Sequence, residues 1–440
     1  MLISSLITLS IGAFSSFIFK HHTGINYREC FALVTFGWLA ASLFGTLPYI
    51  LSGFAPSFAD AFFETVSGFT TTGASIFPDV ESLPKSLLFW RSITNWLGGI
   101  GIMALFITVI SGIGVMANQI FRSEVPGPVS DKISPRIRES AKRLLLIYLF
   151  MSLLLTILLF AFGMDIFDSL CHTFATVATG GFSTKNTSLT NYNPLIQWTI
   201  IVFMFLAGAN FTLHYLALLN RSLKAYKTNS EFKSYLYIVI IASLVVFAGV
   251  SQYPGWEERV RQSMFQVVSI ITTTGFATAD YNFWSPGAQV ILLILMLVGG
   301  CAGSTAGNIK VGRYMILFEC AKVEIKKMVH PKSVWPIRFS GKILNDALVL
   351  NVLKFFFIYI FFAAIGIIIL SLMGLDLISS ISACFSCIGN IGPGFNLVGP
   401  MQNYGQLPDL SKYILSILML LGRLEIYPVL IMFSSGYWKE

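Results

Sequence analysis

The stretch FFETVSGFTTTGAS, from Phe62 to Ser75, decides the fold of this chain. It is an amphipathic apolar run that ends in three threonines and a glycine. The run is too short to cross a bilayer, which takes about 20 apolar residues, and it is too apolar for a surface loop. Similar endings recur at His172 to Asn186 (HTFATVATGGFSTKN), Phe265 to Tyr281 (FQVVSIITTTGFATADY) and Ile381 to Asn396 (ISACFSCIGNIGPGFN). Four such runs predict four equivalent parts around one site.

The composition indicates a membrane protein. Of the 440 residues, 55% are hydrophobic and only 11% are charged, whereas about 25% charged residues is typical of a soluble domain. Apolar stretches close to the length of a membrane span recur from end to end, so we expect a polytopic helical membrane protein. A water-soluble protein is excluded.

The net charge of +8 comes from Lys and Arg residues that crowd a few loops. By the positive-inside rule these loops lie in the cytoplasm. No aromatic and basic recognition pattern accompanies them, so nucleic acid is not expected as a partner. The basic loops are Arg122 to Arg143, Arg221 to Lys233 and Lys322 to Lys342.

The same order of segments is repeated four times along the chain. Each repeat is predicted to contain an outgoing membrane helix, a short re-entrant helix, a Thr/Gly loop and a return helix. In the second repeat the return segment, Ile196 to Asn220, stays apolar, and no interruption is predicted there. The predicted divisions are an N-terminal helix with a cytoplasmic turn at residues 1–28, and repeats at residues 29–121, 140–222, 232–328 and 345–440.

Every repeat is predicted to start and end on the basic, cytoplasmic side of the membrane. The repeats are therefore parallel and not inverted, and the C-terminus is expected in the cytoplasm. Parallel repeats can surround a pore axis directly. The expected fold is an all-α polytopic membrane protein with four parallel helix–pore-helix–helix repeats around a central pore, plus one extra N-terminal helix.

The Thr/Gly loops predict the chemistry of the site. Backbone that is not helical at membrane depth is tolerated only where it is buried in protein or lines water, so four such loops should face a common aqueous axis. Their carbonyl and hydroxyl oxygens can replace the hydration shell of an alkali cation. The sequence has no clustered soft ligands for a transition metal. It also has no nucleophile and base arrangement, so the protein is not expected to be an enzyme.

These motifs resemble the Trk/Ktr/HKT superfamily of potassium transporters, most closely the TrkH-type membrane subunit of the bacterial Trk potassium uptake system. The resemblance spans nearly the whole chain. Besides the four loop motifs, it is carried by EVPGPV at Glu124 to Val129, GGCAGSTAGNIKV at Gly299 to Val311, and GRLE at Gly422 to Glu425.

The resemblance implies potassium uptake across the cytoplasmic membrane, with K⁺ as both the transported and the filter-bound ion and with no organic cofactor. It also implies a homodimer and a cytosolic nucleotide-binding regulatory subunit of the TrkA type. A secondary transporter that couples K⁺ to H⁺ or Na⁺ stays open as the alternative.

The resemblance further implies which residues line the selectivity filter. The fourth loop has no threonine, so its carbonyl oxygens must do the work, and the ring is expected to be asymmetric. Packing of helices through small residues is the alternative interpretation of these positions. The expected filter residues are Thr71, Thr72, Gly73, Ala178, Thr179, Gly180, Thr273, Thr274, Gly275, Asn390, Ile391 and Gly392.

A glycine-rich segment interrupts the third return helix and is the first candidate for a gate. A GxxxG packing face is one interpretation, but the density of Gly, Ser and Thr disfavours a continuous helix. The resemblance implies an intramembrane loop that closes the pore below the filter. The candidate residues are Gly299, Gly300, Ala302, Gly303, Ser304, Thr305, Ala306 and Gly307.

Arg423, midway along the last apolar segment, is the second candidate. An arginine embedded in a membrane is costly and faces a cavity or a partner. A buried pair with a carboxylate elsewhere is one interpretation, but Glu425 is not the obvious partner because residues two apart do not face each other on a helix. The resemblance implies that Arg423 points at the pore beneath the filter as an electrostatic barrier to cations.

Overall fold

The computed structural model describes residues 1–18, 27–110 and 137–438. An N-terminal helix, α1, spans Leu2–Ile18 and precedes four units of similar order. The turn predicted after α1, the end of the first predicted repeat, the EVPGPV motif and most of the first basic loop lie outside the described residues.

Each unit contains an outgoing helix, a short helix, an extended loop and a return helix. The first unit has α2 (Tyr27–Gly45) continued by α3 (Leu47–Ser52), α4 (Phe58–Phe69) and α5 (Lys85–Ile110); the second has α6 (Ile137–Ala161), α7 (Ile166–Val177), α8 (Pro194–Ala207) and α9 (Phe211–Asn220). After a connecting helix, α10 (Lys224–Thr228), the third has α11 (Ser230–Gly249), α12 (Trp256–Ile271), α13 (Pro286–Leu295) and α14 (Val311–Val329); the fourth has α15 (Asp346–Leu372), α16 (Leu377–Gly389), α17 (Asp409–Arg423) and α18 (Tyr427–Ile431).

Small elements complete the described chain. Two 3₁₀ turns, Tyr281–Phe283 and Asn396–Val398, follow the loops of the third and fourth units. A two-stranded hairpin of β1 (Arg338–Phe339) and β2 (Lys342–Ile343) joins α14 to α15.

Four described helices are long and apolar enough to cross a membrane, and they are the outgoing helices of the four units. The short helices have 12 to 16 residues and bury most of their side chains inside the protein instead. Each unit thus carries its own span and its own re-entrant helix. The predicted fold, an all-α polytopic membrane protein with four helix–pore-helix–helix repeats and an extra N-terminal helix, is confirmed.

Side-chain caps fix where three of the short helices begin. The side chains of Ser57, Asp165 and Asp376 accept backbone N–H groups from the first turns of α4, α7 and α16. These bonds satisfy donors that a helix start leaves without an intrahelical partner. At the other end, each short helix stops where the Thr/Gly loop begins.

The units pack in a ring. The return helices α5, α8 and α17 pack on the short helices of the next units, α7, α12 and α4. Between the third and fourth units, Gly307 in the loop before α14 lies against the Gly389 carbonyl at the end of α16. One buried apolar cluster joins the second and third units, and another joins the fourth and first.

The return helix of the second unit is broken, which the sequence did not predict. The axes of α8 and α9 meet at 99° around residues 208–210. The break frees backbone groups that bond to the third unit: the Gly208 carbonyl accepts from the Cys301 N–H (2.8 Å), and the Phe211 N–H donates to the Gly303 carbonyl (3.0 Å). The apolar pattern of the sequence continues across the break and does not reveal it.

Candidate functional site

The four short helices end in the same backbone turn. Thr71, Thr179, Thr273 and Asn390 have φ between 53° and 56°, which is uncommon for residues with a side chain. Each of them donates its N–H to the carbonyl three residues back. The next residue donates to the carbonyl five residues back at 2.7 to 2.9 Å. These four residues therefore occupy equivalent positions.

The register predicted for the second loop is wrong by one residue. Two positions after the left-handed residue each loop has a glycine with positive φ, and in the second loop this glycine is Gly181 (φ 70°). Gly180 instead takes the position of Thr72, and Ala178 that of Thr70. The sequence ATGGFS contains two adjacent glycines, and the sequence alone does not tell which of them is equivalent to Gly73. The hydrogen bond from the Gly180 N–H to the Ala175 carbonyl shows that Gly180 is equivalent to Thr72.

The four left-handed glycines form a closed ring with carbonyl oxygens. A Cβ atom added to any of them would meet the carbonyl oxygen of the loop of the next unit. No side chain fits at these positions, which explains why each is a glycine. The contacts run from Gly73 to Gly180, from Gly181 to Thr274, from Gly275 to Ile391, and from Gly392 to Thr72.

One cavity reaches all four of these glycines. Its other walls come from the loops that follow them, including Phe77, Lys185, Asn186 and Gln402. The ring of loops therefore opens into a single vestibule.

The side chains at the left-handed positions differ from loop to loop. The Thr71 hydroxyl is buried and has no hydrogen-bond partner in the described part of the chain. Thr179 donates its hydroxyl to the Ala178 carbonyl at 2.6 Å, and the Thr273 hydroxyl accepts from the Gly307 N–H at 2.7 Å. The Asn390 amide donates to the Thr72 hydroxyl and to the Met419 carbonyl, both at 3.0 Å. The four loops share a backbone conformation, but their side chains at the left-handed position make different hydrogen bonds.

Residues 296–310, between α13 and α14, are not helical. The glycine-rich segment is a loop, as predicted, and not a continuous GxxxG helix. Besides the bond from Gly307 to Thr273, its Thr305 hydroxyl contacts the carbonyls of Val177 (3.0 Å) and Ala207 (3.2 Å). This loop, called the intramembrane loop below, thus lies against the inner ends of the short helices.

Arg423 is the last residue of α17, not the middle of a continuous helix. Its buried guanidinium donates to the Thr305 carbonyl (3.0 Å) and to the Gly98 carbonyl on α5 (2.9 Å). It therefore joins the intramembrane loop to the first unit. Glu425 pairs instead with Arg313 at 2.6 Å.

Two buried charged residues that the sequence did not single out hold the intramembrane loop. Glu231, at the start of α11, accepts the N–H groups of Ala302 (2.8 Å) and Gly312 (3.0 Å). The Lys310 ammonium donates to the Ala306 carbonyl. Lys310 lies within the GGCAGSTAGNIKV motif, whereas Glu231 belongs to none of the quoted motifs and precedes Ala302 by 71 residues. A buried carboxylate at a span end is the only local signal.

The ring geometry predicts that Gly181→Ala is far more damaging than Gly163→Ala. Both glycines have positive φ, so alanine strains the backbone at each by about 1–2 kcal/mol. Only at Gly181 does the new methyl group also strike a neighbouring carbonyl; at Gly163 it meets open space. Apparent melting temperatures of the purified variants in detergent measure the difference. Equal losses at the two positions would contradict the close contact between loops.

Comparison with known proteins identifies the family. The family model for TrkH, a cation transport protein, matches residues 1–439. The Trk system potassium uptake protein TrkH of Escherichia coli (strain K12) is 36% identical over 429 residues, 96% of this chain and 88% of that protein. TrkI of Halomonas elongata is 34% identical over 417 residues, 94% and 84% of the two chains.

A solved structure agrees with this assignment. The crystal structure of the potassium transporter TrkH from Vibrio parahaemolyticus matches with a TM-score of 0.88 at 32% sequence identity, covering 100% of this chain and 92% of that one. The resemblance of the loop motifs is thereby confirmed: the chain belongs to the TrkH family of cation transport proteins.

Proposed function

We propose that this protein takes up potassium ions across the cytoplasmic membrane as the membrane subunit of a Trk-type system. The closed ring of four glycines and four carbonyl oxygens carries the proposal. Relatives of this chain bear the name of the Trk potassium uptake system. A ring of oxygens is the ligand set that replaces the water around an alkali cation.

The filter comprises residues 71–73, 179–181, 273–275 and 390–392. This set adds Gly181 to the positions expected from the sequence and leaves Ala178 at the end of α7, where its carbonyl is engaged by Thr179. Backbone oxygens of these residues and the hydroxyls of Thr71, Thr179 and Thr273 bind K⁺. This assignment is supported by a physical argument: extended backbone at membrane depth must be surrounded by protein or must line water.

The intramembrane loop and Arg423 form the gate. The part of the loop that blocks the path below the filter consists of Gly299, Gly300, Ala302, Gly303, Ser304, Thr305, Ala306 and Gly307. The guanidinium adds electrostatic repulsion. For a K⁺ ion about 8 Å away, the repulsion energy is about 2 kcal/mol at an effective dielectric constant of about 20. A barrier of this size slows ions without stopping them, so steric closure by the loop is needed as well.

The remaining parts of the proposal concern assembly and topology. The protein is a multi-pass inner-membrane protein with a cytoplasmic C-terminus, works as a homodimer, and binds a cytosolic nucleotide-binding subunit of the TrkA type. The repeats extend over residues 29–121, 140–222, 232–328 and 345–440. The basic loops support the orientation through the positive-inside rule.

The proposed function is tested by ⁸⁶Rb⁺ or K⁺ flux into proteoliposomes, with and without Na⁺ and a proton gradient. We expect flux that follows the K⁺ gradient in the absence of both. Flux that requires Na⁺ or a proton gradient would show a coupled secondary transporter. Absence of flux above that of protein-free vesicles would refute the proposal.

The gate predicts that Arg423→Ala raises K⁺ flux in the same assay. Loss of a repulsion of about 2 kcal/mol alone allows an increase of roughly 30-fold. Loss of the bonds to Thr305 and Gly98 raises the flux further, because it releases the intramembrane loop. Arg259→Ala is the control, because Arg259 bonds to the Phe247 carbonyl and not to the loop. Reduced flux from well-folded Arg423→Ala protein would indicate that the arginine is structural.

A further inference from the structure

A buried ion pair lies directly behind the first two filter loops. Arg91 Nε on α5 is 2.7 Å from Glu64 Oε1 on α4, and the two side chains are 2% and 0% exposed. Removing two charges from water costs several kcal/mol per ion, which attraction and hydrogen bonds offset only when the geometry is good. A contribution to stability therefore does not by itself account for this buried pair.

The contacts of the pair reach both loops. Glu64 accepts from the Ile76 N–H at 2.9 Å and from the Ser75 hydroxyl at 3.1 Å. Arg91 donates to the Ser75 hydroxyl at 3.1 Å and to the Ser183 carbonyl at 2.9 Å. Ser75 and Ser183 each lie two residues after a left-handed glycine of the ring. One guanidinium thus joins the outer ends of the first and second loops.

A stacking contact fixes the guanidinium further. Arg91 lies over the ring of Phe182 at 4.2 Å, and Phe182 directly follows Gly181. A planar cation on an aromatic face is favourable when it is desolvated. The side chain therefore holds the second loop through both its backbone and its aromatic residue.

The other units brace their loops without this ion pair. The residue seven positions before the left-handed residue is Glu64 in the first unit and His172, Gln266 and Ala383 in the others. His172 bonds to the Ser183 hydroxyl at 3.0 Å, and Gln266 donates to the Thr278 hydroxyl at 3.4 Å. The side chain at this position bonds to the loop in three units. Among these four positions, only the one in the first unit holds a carboxylate with an arginine partner.

We propose that Glu64 and Arg91 are positioning residues that set the ion selectivity of the filter by fixing the spacing of the first and second loops. This inference rests on the proposed role of the loops as a K⁺ filter. The pair does not touch the ion. It holds the backbone on either side of the contact between Gly73 and Gly180, so loosening it widens the ring on one side and lowers discrimination between K⁺ and Na⁺.

Arg91→Lys is the test variant. Lysine keeps the buried positive charge, but its ammonium lacks the planar fork that reaches Glu64, Ser75 and Ser183 together. In proteoliposomes we expect the ratio of Na⁺ to K⁺ flux to rise about fivefold over wild type, because the charge remains while the bond to the second loop is lost. Size-exclusion chromatography verifies that the variant is folded.

A second buried ion pair supplies a matched control. Lys412 on α17 is 2.6 Å from Asp60, which lies one turn before Glu64 on α4, and both side chains are buried. Their other side-chain bonds among the described residues go to Ser57 and Asp409, not to a filter loop. The neutral double variant Asp60→Asn/Lys412→Met should keep the wild-type flux ratio.

Ser75→Ala provides a milder variant should Arg91→Lys fail to fold. It removes the hydroxyl that bonds to both charges and should raise the flux ratio in the same direction by less. Wild-type protein without K⁺-selective flux would overturn the proposed filter, and this inference with it. Selective wild-type protein with an unchanged ratio in both variants, or with an equal rise in the control, would overturn this inference alone.

Discussion

The loops that the structure describes between the packed helices share one constraint: their buried backbone polar groups must find partners. The four Thr/Gly loops begin in equivalent turns, in which two successive N–H groups return to the end of the short helix. The first residues of the intramembrane loop, 296–298, bond back to α13. Further partners come from the break at residues 208–210, from Thr273 and from Glu231. The break in the second unit and the loop in the third therefore satisfy each other's backbone groups.

Close contact between neighbouring loops explains how four units can have equivalent backbones and different side chains. The left-handed glycines cannot vary, because any Cβ would strike the next loop. The residue two positions earlier must tolerate positive φ, and it is threonine three times and asparagine once. Asparagine is among the side-chain residues that adopt this conformation most readily. The fourth loop keeps the ring geometry while it loses the hydroxyl.

Local sequence patterns predicted the fold, the four loops and the intramembrane loop. The four loops follow apolar runs, and the intramembrane loop is dense in Gly, Ser and Thr. What the sequence could not show depends on other units: the register at Gly180 and Gly181, the bend at Gly208, and the bonds of Glu231. Arg91 is an exception. An arginine inside the apolar segment LLFWRSITNW needs a partner, and the same reasoning that singled out Arg423 could have found Arg91 and its partner Glu64.

In the proposed gate, the two bonds of Arg423 determine how the pore can be controlled. Hydrogen bonds to a charged group contribute about 1.5–3 kcal/mol each, so the bonds to Thr305 and Gly98 favour the closed loop by about 3–6 kcal/mol. That corresponds to roughly two to four orders of magnitude in population. A partner can open the gate only through an affinity for the open state that exceeds its affinity for the closed state by a similar amount. Because Glu231, within the basic Arg221 to Lys233 stretch, attaches the intramembrane loop to the start of α11, a partner that bound this stretch would act on the proposed gate through Glu231.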